Sequence, residues 1–174
     1  EVGVFAGSTF CAAVQNNDMV AAYANDNWSQ PDLQPAREDI TLALENVTVD
    51  TFVENLQENI TTETLDFDIQ VLNGDSSQLG VKDFKHKVNV IFYDGDNTEH
   101  KMREFFLNML DFTDDVFTLV VDDANIEENV AITKRFIDEI GLKILYEREL
   151  LNDLEDVDMW WNGLYVVVLS KSKV

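Results

Sequence analysis

A single cysteine, Cys11, leaves this 174-residue sequence no intrachain disulfide framework and no multi-cysteine zinc site, which fits a reducing, cytoplasmic compartment. Basic residues are scarce as well: 12 Lys and Arg stand against 34 Asp and Glu, a formal charge of -22. No basic stripe remains to neutralise a phosphate backbone, so nucleic acid is disfavoured as a direct partner. The acidity reads as a solubility trait or an adaptation to salty surroundings. No stretch approaches the ~20 apolar residues of a membrane helix, and no basic segment followed by an apolar block opens the chain. A membrane partner is therefore not expected. Proline occurs only at Pro31 and Pro35, both in the 27–35 loop, and no linker, repeat or low-complexity segment divides the sequence.

What is present suits one closed core, since 45% of the residues are hydrophobic. Short β-like apolar runs fall at 2–5, 20–24, 67–72, 88–93, 117–121, 143–146 and 164–169. Between them lie helical stripes: Ala36, Ile40, Ala43, Leu44 and Val47; Val49, Phe52, Val53, Leu56 and Ile60; Met102, Phe105, Phe106, Met109 and Leu110; Ile126, Val130, Ile137 and Ile140. Strands alternating with helices predict an α/β protein, Rossmann-like and doubly wound, with a mostly parallel seven-stranded sheet. The last two strands are joined by a long acidic connection carrying Trp160 and Trp161, and are expected to pair as a C-terminal antiparallel hairpin. Residues 1–174 are read as one domain. Because the sequence opens directly on a strand, upstream N-terminal residues are expected to be missing.

In an open parallel sheet the ligand crevice lies beyond the carboxyl ends of the strands, and here those ends are polar. The first strand runs into Phe5-Ala-Gly-Ser-Thr9, where Gly3 and Gly7 let a ligand approach the backbone ahead of a helix. The second ends in Asn25-Asp-Asn-Trp28, placing Asp26 about twenty residues after the glycine turn, where an acid accepts both hydroxyls of a ribose. Later strands end in Asn73-Gly-Asp-Ser-Ser77, Tyr93-Asp-Gly-Asp96 and Val121-Asp-Asp123. One capping aspartate at a strand-to-helix junction is commonplace, but five acid or glycine strand ends in succession point to a shared rim.

With these elements in this order, the chain resembles the class I S-adenosylmethionine-dependent methyltransferases of the type 24 group, kin to macrocin and catechol O-methyltransferases. The matching segments are Glu1-Val-Gly-Val-Phe-Ala-Gly-Ser-Thr9, the acid of Asn25-Asp-Asn-Trp28, Asn73-Gly-Asp-Ser76, Ile91-Phe-Tyr-Asp-Gly-Asp96, Val120-Val-Asp-Asp123 and Trp161-Asn-Gly-Leu-Tyr-Val166. The resemblance implies that Gly3, Phe5, Gly7 and Thr9 surround the methionine part of S-adenosylmethionine. It also implies that Asp26 holds the ribose, that Asn27 belongs to the cofactor site, that Asp75 and Ser76 lie along the adenine edge, and that Asp94 faces the cofactor. Magnesium on Asp94, Asp122 and Asp123, as in the metal-dependent members, and a metal-free site are both left open. Two departures stand out: Phe5 occupies a position that is glycine in many methyltransferases, and Asp96 is followed by Asn97 where a histidine is frequent. The general base is left unassigned.

The implied activity is O-methylation of a small-molecule or sugar hydroxyl, with a homo-oligomer compatible with it. The alternative is a non-catalytic cofactor-binding or scaffolding domain derived from such an enzyme. A nicotinamide-dependent oxidoreductase fits poorly, because the Gly-x-Gly-x-x-Gly fingerprint is missing. His86 reads as a surface residue, His100 as a weak proton-transfer candidate beside Asp96, and Cys11 as small core packing.

Overall fold

The computed structural model describes residues 1–15, 17–29, 47–60, 67–152 and 162–172. The stripe predicted over Ala36, Ile40, Ala43 and Leu44, both prolines and the Trp160-Trp161 pair lie outside them. The described residues form two compact units, Gly3–Asp75 and Glu1–Val2 with Ser76–Val174. Among them no helix is long and apolar enough to cross a membrane.

In the Gly3–Asp75 unit, α1 (Ser8–Val14) leads to β1 (Ala21–Asp26), then α2 (Val49–Asn59) and β2 (Asp68–Asn73). β1 and β2 pair in parallel, from Ala21 opposite Asp68 to Asp26 opposite Asn73. Thr48 starts α2 by accepting from the Thr51 N–H while the Thr51 hydroxyl accepts from Thr48 N–H, so two otherwise unpaired donors are satisfied. The apolar face that this start sets up buries Phe52 and, just past the helix, Ile60, against Val4, Phe10, Val14, Ala22 and Ala24. Phe52 is central, with Phe10 5.7 Å and Trp28 5.9 Å from it, centroid to centroid.

The other unit holds β3 (Val88–Tyr93), α3 (Glu99–Phe112), β4 (Thr113–Val121), α4 (Glu127–Ile140), β5 (Lys143–Leu150) and β6 (Leu164–Ser170). The sheet order is β3-β4-β6-β5. β3 and β4 are parallel, while β6 runs antiparallel to both β4 and β5. The sequence explains this order. β6 is apolar at six successive positions and sits centrally, with Tyr165, Val167 and Leu169 fully buried, whereas β5 carries four charges and takes the edge. On α3, Met102, Phe105, Phe106 and Met109 are buried as the period predicts, and Phe112 continues the stripe. Phe106 of α3 meets Phe136 of α4 at 5.3 Å.

Three expectations are corrected. The sheet is not seven-stranded and mostly parallel: the described residues carry six strands, in a two-stranded and a four-stranded arrangement, with two parallel and two antiparallel pairings. The strand expected at 2–5 contracts to one parallel bridge, Val2 to Tyr93. Gly3 at φ 81° and Phe5 at φ 46° turn the backbone into the left-handed region, which a strand cannot continue through. Ile126 is exposed, because α4 begins one residue later; Ile132 and Phe136 fill the buried face in its place. The C-terminal antiparallel hairpin forms as expected.

Candidate functional site

In the Gly3–Asp75 unit the end of β1 grips the turn that precedes α1. The Asn25 carbonyl accepts from the N–H groups of Gly3 (2.8 Å) and Val4 (3.3 Å), and Gly7 N–H closes the turn on the Val4 carbonyl at 2.7 Å. Asp26 divides its carboxylate: one oxygen accepts from Phe5 N–H and the other from Trp28 N–H, each at 2.8 Å. The Trp28 indole N–H then donates to the Phe5 carbonyl at 3.0 Å. Both polar groups of the Phe5 backbone are thus held, one by Asp26 at the end of β1 and the other by Trp28 just beyond it. That clamp offsets the cost, roughly 1–2 kcal/mol, of placing a non-glycine residue at positive φ.

Gly7 cannot be replaced so. At φ 91° a Cβ there would sit 2.8 Å from two atoms of the Phe52 ring, so the turn rests directly on the aromatic core. On its other side Asn55 of α2 donates to the Ala6 carbonyl at 2.9 Å. A cavity of about 440 Å³ opens here, lined by Ala6, Gly7, Ser8 and Cys11 with Asn55 and Asn59 among others. Cys11, half-buried, packs against the core as expected and also lines this cavity. Thr9 is exposed on α1, and Asn27 is exposed with its side-chain oxygen accepting from the N–H and hydroxyl of Ser29.

The ends of β1 and β2 are tied by a residue that sequence reasoning passed over. Asn25 is 2% exposed and donates from one amide nitrogen to the Leu72 (2.8 Å) and Gly74 (3.0 Å) carbonyls. Gly74 N–H returns to the Asp26 carbonyl at 2.9 Å, which sets Asp75 next in line at the mouth of β2. An amide immediately before a strand-end acid was the available signal. Gly3, Phe5, Gly7 and Asp26 are thus brought together at one turn.

In the second unit Ser76 opens a short 3-10 turn and its carbonyl accepts from Leu79 N–H at 3.2 Å. Asp94 follows β3 with its N–H on the Val2 carbonyl at 2.9 Å, and Asp122 follows β4 with its N–H on the Tyr93 carbonyl at 3.0 Å. Burial pushes the Asp122 carboxyl up to about 6, helped by the charge of Asp123 and opposed by a hydrogen bond from the Asp123 backbone. Asp123 itself sits at φ 57° and spends both carboxylate oxygens on amides, one accepting from Asn97 at 2.7 Å and the other from Asn162. The sequence marked Asn97 only as a departure from histidine and Asn162 only as part of a matching segment; their shared partner, 26 and 39 residues away, was not legible. His100 is exposed beside Glu104 at 3.4 Å, a helix-surface pair.

The resemblance raised magnesium on Asp94, Asp122 and Asp123. Among the described residues no group of three or more His, Cys, Asp or Glu side chains is placed to hold a metal ion. As placed, the three carboxylates therefore do not converge into a set that fits a divalent cation.

A family model described as a methyltransferase domain, type 24, matches residues 1–124, and the chain belongs to that family. Among solved structures the chain is similar to the O-methyltransferase NovP, at 12% identity and TM-score 0.60 over 99% of this chain and 70% of that one. An rRNA methylase from Streptococcus thermophilus is similar at 12% identity and TM-score 0.55, over 99% and 84% of the two chains. The magnesium protoporphyrin IX methyltransferase ChlM from Synechocystis PCC 6803, solved with bound S-adenosylmethionine, is similar at 13% identity and TM-score 0.56, over 98% and 68%. At such identities the likeness concerns the fold. A comparison with curated proteins found no match.

Proposed function

We propose that this S-adenosylmethionine-dependent methyltransferase transfers its methyl group to a hydroxyl of a small molecule or sugar. The carrying observation is the Asp26 turn. A half-buried carboxylate already orders the Phe5 and Trp28 backbone and keeps a further lone pair on each oxygen, enough to receive the two hydroxyls of a ribose. The residues of this turn fit an adenosyl group on that ground. Gly3, Phe5, Gly7 and Thr9 would hold the methionine part, Asn27 would assist Asp26, Asp75 and Ser76 would border the adenine, and Asp94 would face the cofactor.

When bound, the cofactor supplies an electrophilic methyl on a sulfonium, so the protein needs chiefly to orient the acceptor oxygen in line with it. The reading of a hydroxyl on a small acceptor is supported by the net charge of -22, which opposes docking of a polyanion such as RNA. The likeness to NovP agrees with that preference. The same reading places the protein in the cytoplasm, a setting that the lone cysteine supports.

Isothermal titration with S-adenosylhomocysteine tests the reading, and an absence of binding would overturn it. Radiolabelled methyl transfer to a panel of hydroxylated small molecules then separates an enzyme from a scaffolding descendant. Once transfer is detected, Asp94→Asn lowers it if Asp94 faces the cofactor.

A further inference from the structure

β5 lies outside the residues that the family model matches, and it is built unlike the rest of its sheet. It is eight residues long, forms one edge, and among the described residues pairs only with β6. Seven of its residues, Lys143 to Glu149, are exposed, including the apolar Ile144 (40%), Leu145 (50%) and Tyr146 (50%). A long edge with exposed apolar side chains and outward N–H and C=O groups is a template for another strand.

The charge of this strand says which one. The chain carries -22 overall, yet β5 holds two bases, Lys143 and Arg148, against two acids, Glu147 and Glu149, and is locally neutral. The acids are also engaged from within: Lys134 of α4 meets Glu149 at 2.7 Å and Glu147 at 3.8 Å, and Glu147 accepts from the Tyr165 hydroxyl at 2.8 Å. A second acidic chain therefore meets least repulsion along β5.

We propose that β5 pairs antiparallel with β5 of a second copy of this chain, joining two sheets across a two-fold axis. By the pleat, Tyr146 and Arg148 share the face opposite Glu147 and Glu149, because they stand beside Val168 and Val166 of β6 while the two acids stand beside Val167 and Tyr165. With the two-fold at Glu147, each Tyr146 faces the Arg148 of the other copy, a cation–π pairing repeated twice. The one like-charge meeting, Glu147 with itself, is the residue already compensated by Lys134 and Tyr165. Centring on Arg148 instead sets Arg148 against itself and Glu147 against Glu149. The irregularity between Ile144 and Tyr146 further limits the usable registers, which is how an edge strand becomes selective.

Analytical ultracentrifugation of the whole chain over a range of concentration and NaCl tests this. A dimer is expected that tightens with salt, because ~1 M salt shortens the Debye length to about 3 Å and removes the general repulsion between two acidic copies. Arg148→Glu should weaken it by roughly tenfold or more, about 1.4 kcal/mol, whereas Arg103→Glu on α3, with the same charge change, should leave it intact. Circular dichroism verifies that both variants fold; should Arg148→Glu unfold the chain, Tyr146→Lys tests the same contact. A monomer at every salt concentration, or equal weakening by the Arg103 and Arg148 variants, would overturn the proposal.

Discussion

Two strand ends in this protein use an aspartate to hold a left-handed turn, and they do it with opposite kinds of partner. At the end of β1, Asp26 accepts from backbone N–H groups, those of Phe5 and Trp28. At the end of β4, Asp123 accepts from side-chain amides, those of Asn97 and Asn162. A backbone donor is present whatever residue stands there, so the Asp26 turn depends on chain geometry, on Gly7 above all. An amide donor depends on residue identity, so the Asp123 turn depends on the side chains of two distant asparagines. The first arrangement suits a place where a ligand joins an existing set of bonds; the second locks a loop closed.

The widest gap between the two is expected on removing the β1 acid. Asp26→Ala deletes two charge-assisted bonds, each worth about 1.5–3 kcal/mol, and also the proposed ribose contacts. Affinity for S-adenosylhomocysteine should fall by ~100-fold or more in isothermal titration; an unchanged affinity would remove Asp26 from the site. Next in size is the geometric support of the same turn. Gly7→Ala forces a Cβ to 2.8 Å from the Phe52 ring at φ 91°, and urea unfolding should show a loss of about 2–3 kcal/mol.

Much of this contrast could be read in advance, and the boundary is physical. The glycine turn, the strand-end acids and the alternation of elements are local patterns, and β3 and the start of β6 fall where periodicity places them. What escaped is non-local. Asn25 looks like a loop residue until β2 supplies the Leu72 and Gly74 carbonyls for it to hold. Asn97 reads only as a missing histidine, and Asn162 as one residue of a motif, until folding sets both on Asp123. The strand at 2–5 was misjudged because its apolar residues alternate correctly, while Gly3 and Phe5 adopt positive φ for the sake of the turn. Phe5 is the harder case, since no local preference brings a phenylalanine there; only the Asp26 and Trp28 bonds do.

Asp123→Asn sharpens the comparison at smaller scale. An amide offers one acceptor oxygen, so either Asn97 or Asn162 must then direct its N–H₂ at another N–H₂ group. The expected destabilisation is about 1–2 kcal/mol, measured by chemical denaturation. Asp26→Asn carries the same mismatch against a backbone N–H, and a similar loss there would show that the two turns differ in ligand binding and not in stability.

The smallest effect concerns the neighbour that the Asp123 turn leaves half-buried. The Asp122 carboxyl ordinarily titrates near 3.8 and is pushed up to about 6 in the fold. Below pH 4 it is protonated in both folded and unfolded chains and costs nothing. Between pH 4 and 6 the unfolded chain releases this proton while the folded one retains it, so the folded state binds more protons and its stability falls as pH rises. Above pH 6 the full penalty remains; because the side chain is partly solvated, it is on the order of 1 kcal/mol or less. Asp122→Asn removes the titration while its amide oxygen can still accept from the Asp123 N–H. Its melting temperature should therefore exceed that of the parent at pH 8 and converge with it near pH 4. A difference that stays constant across this range would mean that burial of Asp122 carries no charge penalty, and that the two strand ends differ only in the partners of Asp26 and Asp123.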